Sequence, residues 1–276
     1  MTAHGYPRGV RKSWDEVDRS ADPQGFIDYL RTVSALDSVQ VVKHKTIQLM
    51  GAHPGDSVLD VGCGAGDEVI ALARVVGESG RAVGLDMSET MVSEGRRRAA
   101  QAGVRAEFKA GDAQALPFED RSFHAARIER TLQHLADPDR ALRELRRVCR
   151  PGGQVVALDP DWTGLAIDSE DEEMTRIVTH AHASHVAHGQ MGRELWRRLG
   201  NAGFEDLVVD AVIFHTTSFE VADAVVGPRE AVTESVRDGT GDRAEGDRWL
   251  DGLRAADTRG RFFAALPGFI VAGRTP

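Results

Sequence analysis

The chain has 276 residues, 41% hydrophobic and 28% charged, enough to bury a sizeable core without disulfides or a structural metal. Its 34 Lys and Arg against 43 Asp and Glu leave a net charge of −9, which repels a phosphate backbone and argues against nucleic acid as a partner. Two cysteines, Cys63 and Cys149, build neither a disulfide framework nor a zinc spacing.

Residues 1–54 read as an amphipathic helical segment, with Phe26, Ile27, Leu30, Val33 and Leu36 near a 3.6 period. The stretch Met1 to Ser20 is polar, without the apolar centre of a signal peptide, and no run reaches ~20 apolar residues. The expectation is therefore a cytoplasmic protein with no membrane span. Pro54-Gly55 ends the first pattern. From there to residue 160, short apolar strands alternate with helices. Strands are expected at Ser57–Val61, Ala82–Asp86, Ala106–Ala110, Phe123–Ile128 and Gln154–Asp159. Helices are expected at Glu68–Val76, Ser88–Ala102 and Pro138–Val148, the last capped by Asp137. Such alternation predicts an α/β fold with a parallel sheet and right-handed crossovers. Residues 161–198 read as a mostly helical insertion, Asp206–Phe214 as a strand, 219–260 as helices broken at Gly227-Pro228 and Gly239, and Gly268–Gly273 as a closing strand. The helical pieces at 1–45, 161–190 and 219–260 are expected to fold over the carboxyl ends of the strands, where open α/β sheets bind ligands. The division is thus 1–54 as an N-terminal helical cap segment, 55–160 as the ligand-binding core, and 161–276 as lid insertions plus the last two strands.

The densest signal is Val58-Leu59-Asp60-Val61-Gly62-Cys63-Gly64-Ala65-Gly66-Asp67, a buried strand running into three alternating glycines and then a helix. Glycines there allow a sharp turn and let a ligand approach the main chain without meeting a Cβ. The spacing G-x-G-x-G differs from the G-x-G-x-x-G of dinucleotide loops. Asp60, two residues before the first glycine, opposes a pyrophosphate but suits a ligand carrying ammonium and sulfonium charge. Asp86 ends the second strand, where a carboxylate can accept both hydroxyls of a ribose. Gly111-Asp112-Ala113 follows the third strand, placing a carboxylate where it can accept from an adenine amino group. For Asp86 and Asp112 the plainer reading is a solvated loop acid.

These segments together resemble the class I S-adenosylmethionine-dependent methyltransferases, in particular the ubiquinone/menaquinone-biosynthesis type and its natural-product relatives. The resemblance rests on Leu59–Gly66, Gly84-Leu85-Asp86-Met87-Ser88, Gly111–Phe118, Leu132–Pro138 and Leu145–Gly153, in family order over roughly residues 55–160. It implies a Rossmann-like three-layer sandwich. The sheet would have seven mostly parallel strands, with the last antiparallel, beneath a helical cap. It also implies S-adenosylmethionine as cofactor. Carried over, Gly62 and Gly64 pass beneath the methionine moiety and Asp60 organises that loop. Asp86 holds the ribose, Met87 packs on the adenine, Asp112 and Ala113 read its edge, and Glu129 faces the methionine amino end.

Methyl transfer needs positioning, exclusion of water and, for some acceptors, removal of a proton. His134, after the fourth strand, is the candidate general base; the alternative is a histidine that only packs or caps the next helix. Gln133 is read either as orienting a substrate oxygen or as a surface residue. His180, His182, His185 and His188 lie on a helical stretch but fan over about 200° without a completing carboxylate, so no metal site is assigned. Trp162 and Trp196 are read as core residues or as walls of an aromatic pocket. The function expected is methyl transfer to a small-molecule acceptor in natural-product or quinone-type metabolism. The alternative keeps the cofactor and catalyses cyclisation, decarboxylation or isomerisation.

Overall fold

The computed structural model describes residues 14–276, so the first part of the expected N-terminal helical segment, residues 1–13, lies outside the described residues. A short 3-10 helix, Trp14–Arg19, precedes α1 (Pro23–Ser34) and α2 (Asp37–Leu49). Asp22 starts α1 by accepting from the Gly25 N–H at 2.9 Å, with Pro23 in the first turn. The alternating region follows as β1 (Ser57–Val61), α3 (Asp67–Val76), β2 (Arg81–Asp86), α4 (Glu89–Gln101), β3 (Glu107–Ala110), β4 (Phe123–Glu129), α5 (Pro138–Val148) and β5 (Cys149–Pro160). β1 and α5 occupy the residues expected of them, and Asp137 caps α5 by accepting from the Arg140 N–H at 2.9 Å. The rest comprises β6 (Ala166–Ile167), α6 (Glu172–His185), α7 (Met191–Asn201), β7 (Glu205–Thr216), α8 (Phe219–Val226), α9 (Pro228–Arg237), α10 (Arg243–Thr258) and β8 (Ala264–Arg274).

The strands form one sheet in the order β3-β2-β1-β4-β5-β8, with β7 on the far side of β8. β1 to β5 pair in parallel, and β8 runs antiparallel to both β5 and β7. The last strand is thus reversed, as the family resemblance implies. The sheet has eight strands rather than seven. The extra one, β6, places Ala166 and Ile167 against Ala265 and Ala264, beyond the point where β5 ends at Pro160 opposite Gly268. Two residues are too few to show a period, which is why the sequence did not announce it.

Both sheet faces are covered, as a parallel sheet requires. On one face Leu142, Leu145, Leu195 and Leu199 of α5 and α7 pack on Leu59, Val83, Ala126 and Val155. On the other, Val69 and Leu72 of α3 and Val92 of α4 pack on Val58, Ala82, Ala125 and Val156. α2 joins this second face through Val42, Ile47 and Leu49, so it lies against the sheet and not over the strand ends. α1 does sit over the ends: Phe26 and Ile27 share a small core with Ala65 of the glycine loop and Met91 of α4. A separate core joins Met174 and Val178 of α6, Phe219 of α8, Val232 of α9 and Trp249 of α10 to Ala264 and Leu266. Those two residues begin β8, beside the carboxyl end of β5, so α6 and α8 to α10 form a second helical mass there.

Candidate cofactor and active site

β1, β2 and β4 end side by side, and their last residues with the glycine loop outline a crevice. Gly62 has φ of +72°, and a Cβ there would lie 2.0 Å from the Thr131 Oγ1, so no other residue fits this turn. Gly64 has φ of +50°, and a Cβ there would meet Leu30 of α1 at 3.0 Å. Its N–H donates to the Asp86 Oδ2 at 2.9 Å, while the Ser88 N–H donates to the Oδ1 at 3.0 Å. Asp86 therefore ties the end of β2 to the glycine loop, and burial pushes its carboxyl up more than these two bonds pull it down. The 3-10 helix closes the same corner, where Asp18 accepts from the Ser88 hydroxyl at 2.6 Å and the Glu89 N–H at 2.9 Å at the start of α4.

Asp60 and Glu129 lie under the loop as expected, but within a buried charge network that the motifs did not reveal. The Arg127 guanidinium is 3.4 Å from the Asp60 Oδ2 and 3.8 Å from the Glu68 Oε2, and it bonds the Glu129 carboxylate directly. Lys43 of α2 reaches the Glu68 Oε1 at 2.5 Å and the Ser34 hydroxyl at 2.8 Å. Burial pushes the Asp60 carboxyl up to about 7 despite the Arg127 charge beside it. Glu68 is held below the usual range: burial raises it, but the Lys43 and Arg127 charges outweigh that. The cavity these groups enclose is only about 50 Å³, with Leu30 of α1 among its walls. One cue in the sequence pointed here: a strand as apolar as Phe123–Glu129 carries Arg127 at its centre, and a buried cation demands partners.

Of the adenine-side residues, Met87 is 54% exposed next to Asp86. Asp112 is exposed, its Oδ1 accepting from the Gln114 N–H at 2.8 Å, and Ala113 is packed in the core. His134 is exposed on the 3-10 helix Leu132–His134, with its ring centroid 6.4 Å from that of Trp14. It is not among the residues lining the crevice.

Gln133 is buried, so it is neither a surface residue nor free to orient a ligand. Its Oε1 accepts from the Trp162 Nε1 at 2.6 Å, and its backbone carbonyl accepts from the His188 N–H at 3.0 Å. The segment after β4 is thereby fastened to the helical mass that follows β5. Beneath it, Asp159 at the end of β5 is fully buried, and neither oxygen makes a hydrogen bond. Burial pushes its carboxyl well up, more than the nearby Gln133 N–H and Arg130 charge offset. Of the four histidines, His182 and His185 lie 3.5 and 3.4 Å from the buried Glu234 Oε2 of α9, His188 bonds the Leu135 carbonyl, and His180 is exposed. Among the described residues no group of three or more His, Cys, Asp or Glu is disposed to hold a metal. Trp196 is 47% exposed and so is not a core residue.

Residues 24–167 match the model of the ubiE/COQ5 methyltransferase family. The chain is 39% identical over 252 residues to an uncharacterized 37.1 kDa protein in transposon TN4556 of Streptomyces fradiae, covering 90% of this chain and 71% of that protein. It is 38% identical over 133 residues to a demethylmenaquinone methyltransferase of Bacillus cereus, a match spanning 48% of this chain and 56% of that enzyme. In fold it is similar to the [4+2]-cyclase SpnF, at a TM-score of 0.60 and 19% identity, covering 95% of this chain and 97% of that one.

Proposed function

The chain belongs to the ubiE/COQ5 methyltransferase family, class I S-adenosylmethionine-dependent enzymes, and from that premise we propose that it methylates a small-molecule acceptor held beneath its helical cap. The observation that carries the reading is the mixed-charge floor under Gly62 and Gly64. Carboxylates of Asp60, Glu68 and Glu129 alternate there with Lys43 and Arg127. A pyrophosphate would meet three acids at that point, whereas an amino-acid zwitterion finds a partner for each of its charges. The glycines shape that floor, since a Cβ at Gly62 would strike Thr131 and one at Gly64 would press on Leu30, so the tight turn keeps its left-handed backbone only with glycine.

When bound, the cofactor supplies a methyl carbon already activated on a sulfonium sulfur. The chain's own residues supply the rest. Asp60 and Glu129 would meet the methionine ammonium, and Asp86 would accept the ribose hydroxyls. Met87 would lie on the adenine, whose edge Asp112 and the Ala113 backbone would read. α1 and the cap exclude water from the transfer. His134, exposed after β4 with its ring beside Trp14, is the candidate base for an acceptor hydroxyl or amine. The quinone type of acceptor rests on the resemblance to the demethylmenaquinone enzyme, and natural-product metabolism on the motifs shared with methyltransferases of that kind.

Titration calorimetry with S-adenosylmethionine tests the first step, and absence of binding at millimolar cofactor removes the proposal. Incubation with cofactor labelled in its methyl group and a panel of hydroxylated aromatics and quinols tests the second. A labelled product with release of S-adenosylhomocysteine supports transfer. The likeness in fold to SpnF favours one alternative, a closed-pocket reaction without transfer; a product of unchanged mass would establish it in place of methylation.

A further inference from the structure

Arg127 stands in the middle of a parallel strand whose neighbours Ala125, Ala126 and Ile128 are core residues, and it is itself only 1% exposed. Burying a guanidinium among three carboxylates is a poor route to stability, because desolvation of the ions offsets most of their attraction. The network therefore calls for a reason other than folding. It is continuous across four elements: Lys43 on α2, Glu68 on α3, Asp60 on β1, and Arg127 with Glu129 on β4. Lys43 is 6% exposed, so both cations act in a medium where charge is weakly screened. The guanidinium also keeps a buried Nε–H with no hydrogen-bond partner.

Without the Arg127 charge that lowers them, the buried Asp60 and Glu68 carboxyls would take up protons more readily. Ionised, they form a preset negative surface for an ammonium. We infer that Arg127 is a positioning residue for the cofactor: from beneath the glycine loop it pairs with Asp60, Glu68 and Glu129 and orients them for the methionine ammonium, with Lys43 as its auxiliary. This rests on the cofactor reading above and extends it to two residues outside every motif that carries that reading. The other groups facing the network are Arg130, paired to Tyr29 of α1, the Asp86 carboxylate, and the Cys63 thiol, which burial pushes well up so that it stays neutral. Asp67, also at the cavity, is turned to Arg98 at 3.0 Å.

The test uses the whole chain and S-adenosylhomocysteine, which carries the same ammonium and carboxylate and is stable to titration. Its Kd is measured from pH 6 to 9, with protons released on binding read from calorimetry in buffers of different ionisation enthalpy. For the unaltered protein, affinity is expected to be level toward pH 9 and to fall through about pH 7 as Asp60 takes up its proton. Arg127→Met is expected to lose about tenfold or more at pH 7, to recover most of that at pH 9, and to release more protons on binding, since one unit of carboxyl shift is tenfold in occupancy. Arg127→Lys keeps the charge and the profile of the unaltered protein. Lys43→Met, nearer the rim and gentler on folding, moves the midpoint alkaline in the same direction by less. The ligand's own titration is common to all and cancels. An Arg127→Met or Lys43→Met protein whose affinity drops by one factor at every pH, with unchanged proton release, overturns the inference. So does a Lys43→Met midpoint that does not move. If the unaltered protein binds neither S-adenosylhomocysteine nor S-adenosylmethionine, it is the cofactor reading itself that fails.

Discussion

In the proposed site Asp86 would carry two tasks with one side chain. Its oxygens already accept from the Gly64 and Ser88 N–H groups, and each has a further lone pair for a ribose hydroxyl. Asp86→Ala is expected to weaken cofactor binding by roughly 10–100-fold, the loss of about 1.5–3 kcal/mol from charge-assisted hydrogen bonds. Titration of the variant against the unaltered protein checks it, and Asp86→Asn separates charge from geometry. His134 carries a different expectation. It lies outside the cavity lined by Asp60 and Glu129, so His134→Gln should leave cofactor affinity unchanged while lowering the turnover of a protonated acceptor by about 10²–10⁴. Equal turnover by the variant would leave the histidine a packing partner of Trp14. Among the candidate residues, Asp60, Gly62, Gly64, Asp86 and Glu129 are neighbours in space as their motif positions suggested. Arg127, Glu68 and Lys43 were legible only as oddly placed charges, because a partner across the sheet has no sequence spacing to read.

At the scale of elements, α1 covers the glycine loop. Leu30 lies where a Cβ on Gly64 would touch it, and Phe26 and Ile27 pack on Ala65 and Met91. Leu30 also lines the cavity of about 50 Å³ beside Gly62 and Gly64, so withdrawal of α1 is the movement expected if the proposed cofactor enters there. Leu30→Ala is expected to speed cofactor association several-fold in stopped-flow fluorescence, with a smaller effect on dissociation. An unchanged association rate would show that entry does not pass beneath α1. The segment after β4 is fixed from the other side by Trp162 and His188 on Gln133. Strands and helices from β1 to β5 were legible because each has a period and a punctuating residue, such as Asp137 at α5. α2 was not placed correctly in advance. Its apolar stripe says that something covers it, and only the fold reveals that Val42 and Ile47 meet the sheet.

Over the whole molecule, the acids with shifted carboxyls fall into two groups with opposite pH behaviour. Burial raises the carboxyls of Asp60, Asp86 and Asp159, whereas Arg partners lower those of Glu94 (to about 2), Glu107 and Glu144. A carboxyl raised by folding binds its proton more tightly in the native state, so its contribution is whole below about pH 4 and is lost as pH rises toward the folded value. The lowered acids act in the reverse sense and are lost as pH falls through the acid range. Stability is therefore expected to decline from mildly acidic toward alkaline pH. Asp159→Asn removes the acid whose two oxygens lack partners, and should flatten that decline. Its Tm at pH 9 should rise by roughly 2–4 °C for each ~1 kcal/mol recovered, with the gain shrinking steadily as pH falls toward about 4. A Tm lowered equally at both pH values would mean that Asp159 serves folding in its ionised form.

By itself the sequence determined the order of the strands' apolar runs, the helix starts, the glycine turn and the acids that end β1 and β2. These are local matters, set by a period, a cap or a backbone angle within a few residues of one another. Tertiary structure alone decided that Arg127 neutralises acids from three elements, that Lys43 reaches them from α2, and that α1 shuts the crevice. The reason is physical: burial and charge pairing depend on what lies across a sheet or above a loop, and chain separation carries no record of that distance.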